Sequence, residues 1–395
     1  MKAKRHLWLV SSLLFLGAIV QLPAQDSEVY RKQFEETKAR AESGDPQAEV
    51  EIGICYAEGK GVATNKIEAA RWYRRAAEQN IAEAQYNLGI LYFIGQGLER
   101  DPVEAARWFR KAAEQNNAPA QYNLALCYGT GQGVPRDYVQ AVKWNRRAAE
   151  QGMDMAQFDL GACYYSGQGV ETNLVEAIRW YRAAAEQGNP SAQYNLGICY
   201  ANGQGVAKDM VAAAKWLRKA AEQGNAVGQN ALGSCYANGM GVAEDKPEAV
   251  KWYRKAAEQG FAAAQCNLGL CYYSGEGLTK NTTEAAEWYR KAAEQGFAKA
   301  QYDLGTCYDL GEGVTKDPVE AAKWYRKAAE QGMADAQLNL GVCYAAGEGV
   351  TKDFVEAYKW LSLASAQGNE NAKGAKSSLS ANDARANRQR FPLGS

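Results

Sequence analysis

The chain has 395 residues, with 45 basic and 45 acidic side chains, 39 Gly, 10 Trp, 9 Cys and one His. Its 47% apolar and 11% aromatic content is enough to build a core, which excludes disorder. Its balanced charge lacks the basic footprint of a nucleic-acid binder. The one imidazole, His6, falls in a segment that reads as removable, so the mature chain would hold no Ser-His-Asp or Cys-His machinery and no His-ligated metal.

Residues 1–24 have the form of a signal peptide. Lys2, Lys4 and Arg5 make a basic start, Leu7 to Val20 is an apolar run, and Ala24 offers a small residue for cleavage. The apolar run is too short for a membrane span, so an exported protein, periplasmic or secreted and without stable membrane insertion, is expected. Removal would leave 42 basic against 45 acidic groups, a net of −3. Residues 25–47 carry helical spacing at Tyr30 and Phe34 but no Trp, and read as an N-terminal capping helix.

From 48 to 371 the chain repeats itself nine times with a period of 36 residues and no insertion. Trp72, Trp108, Trp144, Trp180, Trp216, Trp252, Trp288, Trp324 and Trp360 mark the period. Within each unit the first half predicts a helix, Ala84 to about Phe93 in the second unit, ending before Gly95-Gln96-Gly97. Ala84, Leu88, Leu91 and Tyr92 share one face of it, and Gly89 permits close approach of a neighbouring helix.

The second half predicts another helix with both ends marked. Its N-cap is always Asn or Asp, from Asn65 and Asp101 to Asp353. Glu68, Glu104 and their equivalents stand three residues on, in a capping-box arrangement. Gly152 and its equivalents supply a left-handed stop, with Asn80 and Asn116 as next-best substitutes. Ala69, Trp72, Tyr73, Ala76 and Ala77 form one buried stripe. Paired antiparallel helices in tandem make an all-α fold, an α-solenoid of nine helix-turn-helix repeats. Residues 372–395 read as a C-terminal cap and frayed tail.

Eight of the nine cysteines share one register: Cys55, Cys127, Cys163, Cys199, Cys235, Cys271, Cys307 and Cys343, with Leu91 filling the remaining slot and Cys266 standing off it. One Cys per unit in an odd total does not read as a disulfide framework, and Leu replaces a core residue but not a ligand. Buried apolar thiols are expected, with no disulfides, no metal and no cofactor. Gly95-x-Gly97 recurs without a preceding strand or a following Lys-Ser/Thr, so turn geometry explains it better than phosphate binding. Asn281-Thr282-Thr283 fits a glycosylation pattern, but Asn281 is also a helix N-cap. Arg71, Arg74 and Arg75 alternate with Glu68 and Glu78 and read as a solvated, locally neutral face.

The Ala-x-x-x-Leu-Gly-x-x-Tyr helix, the Gly-x-Gly-Val turn and the Asp-x-x-x-Ala-x-x-Trp helix ending in Ala-Ala-x-x-Gly together resemble the Sel1-like repeat, a subfamily of tetratricopeptide-type repeats. The resemblance implies a right-handed superhelix that holds other macromolecules, with exported bacterial members in envelope functions and host-protein contact. Some cysteine-rich relatives have been proposed to handle β-lactams, but those carry two cysteines per repeat. This chain has one, and no Ser-x-x-Lys occurs in it.

Function is then expected where the repeats differ. Positions equivalent to Glu83, Tyr86, Ile90, Phe93 and Ile94 cluster opposite the buried stripe of the first helix. The candidate partner-binding residues there are Tyr86, Phe93, Tyr122, Phe158, Tyr165, Tyr194, Tyr273, Tyr302, Asp309 and Leu338. Tyr at the Tyr86 register suits either packing on the next repeat or contact with a partner. Asn87, Asn123, Asp159, Asn195, Asn267, Asp303 and Asn339 form a further ladder, suited to clamping a peptide backbone or to satisfying amides between repeats. A monomeric, non-enzymatic scaffold that binds protein or peptide on its concave face, and no nucleic acid, is the expected function. The alternatives are a β-lactam- or peptidoglycan-related envelope enzyme or regulator, and a purely structural envelope component.

Overall fold

A computed structural model describes residues 27–379. The signal-peptide reading of 1–24, the proposed last short helix near Ser380 and the tail from Arg385 lie outside the described residues. The chain forms two compact units, divided between Lys208 and Asp209.

In the first unit, α1 (Ser27–Glu42) is followed by α2 (Pro46–Glu58), α3 (Lys66–Glu78), α4 (Ala82–Ile94), α5 (Pro102–Glu114), α6 (Ala118–Thr130), α7 (Tyr138–Glu150), α8 (Asp154–Ser166), α9 (Leu174–Glu186) and α10 (Pro190–Asn202). In the second unit come α11 (Met210–Glu222), α12 (Ala226–Asn238), α13 (Lys246–Glu258), α14 (Ala262–Ser274), α15 (Thr282–Glu294), α16 (Ala298–Leu310), α17 (Pro318–Glu330), α18 (Ala334–Ala346) and α19 (Phe354–Ala366), then a helical stretch over 370–379. From α2 on, even-numbered helices are the first and odd-numbered ones the second of each pair. Helices pack chiefly on their neighbours in the chain, the arrangement of an all-α solenoid. No helix among the described residues is long and apolar enough to cross a membrane.

The second helices start where their caps predict. Asp101 Oδ1 accepts from the amides of Val103 and Glu104 at 2.9 and 3.1 Å, and all nine such helices are capped in this way by Asn or Asp. The other half of the capping box differs from expectation. The Asp101 amide donates to the Tyr92 carbonyl at 2.9 Å, and Glu104 turns outward to Arg107. The preceding helix has already satisfied the donor that the glutamate would have taken.

First helices begin two residues earlier than the sequence suggests, at Ala82 instead of Ala84. Several start after residues that give no side-chain cap, such as Ile81, Met153 and Phe261. Asn80 and Asn116 take the left-handed conformation at φ 67°, as their place in the glycine register predicts.

The core of each unit is a continuous layer of small and aromatic side chains. Ala105, Ala106, Phe109, Ala112 and Ala113 of α5 pack with Ala120, Leu124 and Cys127 of α6. Trp72 and Trp108 are only half-buried. They lie at the rim of the stripe, as platforms for Arg75 at 4.6 Å and Lys111 at 4.1 Å from the ring centroids. Phe34 and Ala41 of α1 close the first unit's end against Ala48 and Ile52.

Candidate partner-binding face

Two sets of side chains lie beside the aromatic ring that most second helices send toward the first. In the first unit, Tyr86 and Phe93 flank Phe109 with centroids 6.1 and 6.4 Å away. Phe158 and Tyr165 flank Tyr181 at 5.9 and 6.5 Å. All four are half-buried, so each packs inward on one side and faces solvent on the other. Tyr165 donates to Gln204 Oε1 at 3.1 Å, which orients its ring. Tyr194 is half-buried, and desolvation raises its phenol above the usual range.

Tyr122 differs from Tyr86, Phe158 and Tyr194 of its register. It is fully buried, with 0% of its surface exposed, and therefore belongs to the interior, not to the face on which it was expected. The next helix carries Asn145 in place of the ring that Phe109 and Tyr181 provide in neighbouring repeats. The Tyr122 hydroxyl meets Asp159 on α8, as the Tyr86 hydroxyl meets Asn123 on α6.

In the second unit, Tyr302 rests on Tyr325 at 5.9 Å, and the Tyr325 hydroxyl lies 3.4 Å from both Thr306 Oγ1 and Asp309 Oδ2. Tyr273 is hydrogen-bonded to Glu312, and that carboxylate pushes its phenol up to about 12. Lys280 lies 5.5 Å from the Tyr273 ring and Lys299 5.0 Å from the Tyr302 ring. Leu338 is half-buried and packs on the cluster of Leu361, Ala364 and Ala372. The most exposed apolar groups on this face are Leu270, Val342 and Leu310, the last 57% exposed. They occupy the Ile90 and Ile94 registers, which the helical projection had already placed on the variable side.

The Asn/Asp ladder has partners within the chain. Asn123 faces the Tyr86 hydroxyl, Asn195 that of Tyr181 and Asn339 that of Tyr325. Asn267 donates to Asn230 at 2.9 Å. The ladder thus satisfies neighbouring repeats only in part, since both amide atoms of Asn123 are buried without a hydrogen bond among the described residues.

Two further ladders carry the architecture and were not singled out in the sequence. Arg110 donates to the Tyr128 hydroxyl at 2.6 Å, Arg182 to Tyr200 at 2.8 Å and Arg290 to Tyr308 at 2.7 Å. The Arg74 register thus ties the second helices from α3 to α17 to the first helix that follows each of them. The Glu–Arg alternation holds one register earlier, in Arg71–Glu68 and Arg107–Glu104. Buried glutamines form the other ladder. Gln121 donates to the Ala113 carbonyl at 3.1 Å and accepts from Gln151 at 2.8 Å, and Gln85, Gln157, Gln265 and Gln301 repeat the motif. In the first repeat Glu49 takes the place of this glutamine, wholly buried and met by Arg75 at 2.8 Å and Gln79 at 2.7 Å.

The register cysteines are mostly buried, and desolvation pushes the thiols of Cys127, Cys163 and Cys307 up to about 12. At neutral pH such thiols stay protonated, which deprives them of nucleophilic character.

Paired helices in tandem, with a variable half-exposed face on the first helix of each pair, define the chain as a helical-repeat solenoid. That fold generally serves as a protein-interaction scaffold. The Sel1 repeat model matches nine times end to end, over 46–81, 82–117, 118–153, 154–189, 190–225, 226–261, 262–297, 298–333 and 334–369, and the chain belongs to the Sel1 repeat family. It is similar to c5321, a protective antigen present in uropathogenic Escherichia coli strains, at 39% identity and a TM-score of 0.83, over 89% of this chain and 76% of that one. A Sel1 repeat protein from Oxalobacter formigenes is 35% identical with a TM-score of 0.61, over 78% of this chain and 89% of that one. No curated protein matches the chain.

Proposed function

We propose that this protein is an exported, non-enzymatic scaffold that binds a protein or peptide on the exposed side of its first helices. The observation that carries this reading is the sorting of registers. Positions that recur are buried or pinned, as Gln85, Gly89 and the Arg74–Tyr92 pair are. Positions that vary are partly exposed on their own first helices, as Phe93 and Tyr165 are in the first unit and Tyr273 and Leu310 in the second. Half-buried aromatic rings held from beneath are suitable anchors, because little rotamer freedom is left to lose on binding.

Pull-down from the source organism with wild-type protein tests the reading against Phe93→Ala/Tyr165→Ala in one variant and Tyr273→Ala/Leu310→Ala in another. Loss of a captured partner in either variant is expected. Full retention in both would move the site off the first helices. Assays of β-lactam and muropeptide turnover are expected to be flat, and turnover abolished by substituting one carboxylate would replace the scaffold with an enzyme. Export predicts a mature N-terminus at Gln25, measurable by intact mass.

A further inference from the structure

The third repeat departs from its neighbours at several linked positions. Asn145 of α7 stands where α3, α5 and α9 carry Tyr73, Phe109 and Tyr181, and it is 0% exposed. Neither of its amide atoms has a hydrogen-bond partner among the described residues. Ala125 of α6 replaces the glycine that elsewhere makes room for the ring. Tyr122 is fully buried, and its hydroxyl faces the carboxyl group of Asp159 on α8. Asp159 is itself buried, with Oδ2 closed off from water.

The surroundings of Asp159 contain no countercharge. α6 carries no charged residue, and α8 carries only Asp154 and Asp159. The cations of α7 and α9 are committed elsewhere: Arg146 to the Tyr164 hydroxyl, Arg147 over Trp144, Arg179 to Glu176 and Arg182 to the Tyr200 hydroxyl. Lys143 is exposed. The titratable groups facing Asp159 are the Tyr122 phenol and the Cys163 thiol one turn on. In the next repeat, the Tyr181 hydroxyl faces the uncharged Asn195.

We propose that the junction of the third and fourth repeats is a proton-operated joint, in which loss of the Asp159 proton loosens the packing of α6, α7 and α8. A buried carboxylate with no cation is costly, so the folded junction holds the acid form. Burial pushes the group up to about 7, and the Tyr122 hydroxyl pulls it partly back. The sign follows from proton linkage. The folded state holds a proton that the unfolded chain releases near the ordinary carboxylate value, so stability is complete at low pH and declines as pH rises. The decline ends once Asp159 ionises in the folded state, which places it between about pH 4 and about pH 7. Phe158 adjoins Asp159 and Tyr165 lies on the same helix, so the joint sits under part of the exposed aromatic set. The joint itself does not depend on what that face binds.

Hydrogen exchange by mass spectrometry on the full chain, corrected for intrinsic rates, tests this between pH 4.5 and 8. In the wild type, peptides from α6, α7 and α8 are expected to open more with each pH unit, by up to about tenfold per unit, and then level off. Asp159→Asn keeps the shape without the charge and should abolish the trend. Tyr122→Phe removes the opposing hydrogen bond and should carry the trend to higher pH. Parallel profiles for wild type and Asp159→Asn would overturn the proposal. So would a trend spread equally over α14, α15 and α16.

Discussion

A methyl group on Gly89 would lie 2.7 Å from the Phe109 ring, and Gly161 and Gly269 meet Tyr181 and Tyr289 at 2.7 and 2.8 Å. Gly89→Ala is therefore expected to cost about 1–3 kcal/mol by overpacking, read as a lower urea midpoint at unchanged slope. The third repeat offers the reverse experiment. Asn145→Tyr alone would press its ring on the Ala125 methyl and is expected to stabilise little or to destabilise. Ala125→Gly with Asn145→Tyr recreates the neighbouring pair and is expected to exceed the wild type by about 1 kcal/mol, the two changes coupling in a double-mutant cycle. Cysteine reactivity follows burial. Cys55, only half-buried, is expected to be alkylated first under native conditions, and Cys127 and Cys163 only after unfolding. The full burial of Tyr122 was not legible in its own helix. It is set by side chains of other helices, Asp159 of α8 among them, which become neighbours only after the helices pack.

At the scale of the helix, the two ends of the second helices were readable because each marker does its work locally. Asp101 caps two amides beside it, and Asn80 adopts the left-handed turn that ends α3. The starts of the first helices were less legible, since Ile81 or Phe261 at the cap gives no chemical signal. The capping box was half right because the Tyr92 carbonyl, supplied by another helix, reaches the Asp101 amide first. This division predicts unequal effects. Asp101→Ala should cost about 1 kcal/mol, while Glu104→Ala, losing only a surface pair with Arg107, should stay within about 0.5 kcal/mol by urea denaturation. The partner-binding face was legible as a set of registers. Which members are exposed depends on lateral packing, as the contrast within one register between buried Tyr122 and half-buried Tyr86 shows.

Each of the two units is stabilised by contacts between successive helices, so no single nucleus holds the whole chain together. Unfolding is accordingly expected to proceed in parts. A destabilising change in α5 should speed hydrogen exchange in α4, α5 and α6 while leaving α16, α17 and α18 unchanged, and equal acceleration throughout would show one cooperative block. The glutamine ladder bears on how such a chain can vary over time. Gln121 spans from the Ala113 carbonyl to Gln151, and each bond fits only if its ends keep their separation along the chain. The nine repeats thus behave like text in a fixed reading frame. Letters on the outer helix faces can be exchanged, but adding or removing one residue within a unit disturbs the bonds whose two ends lie on either side of it. Divergence by substitution, with change in length confined to whole repeats, is what such a frame permits.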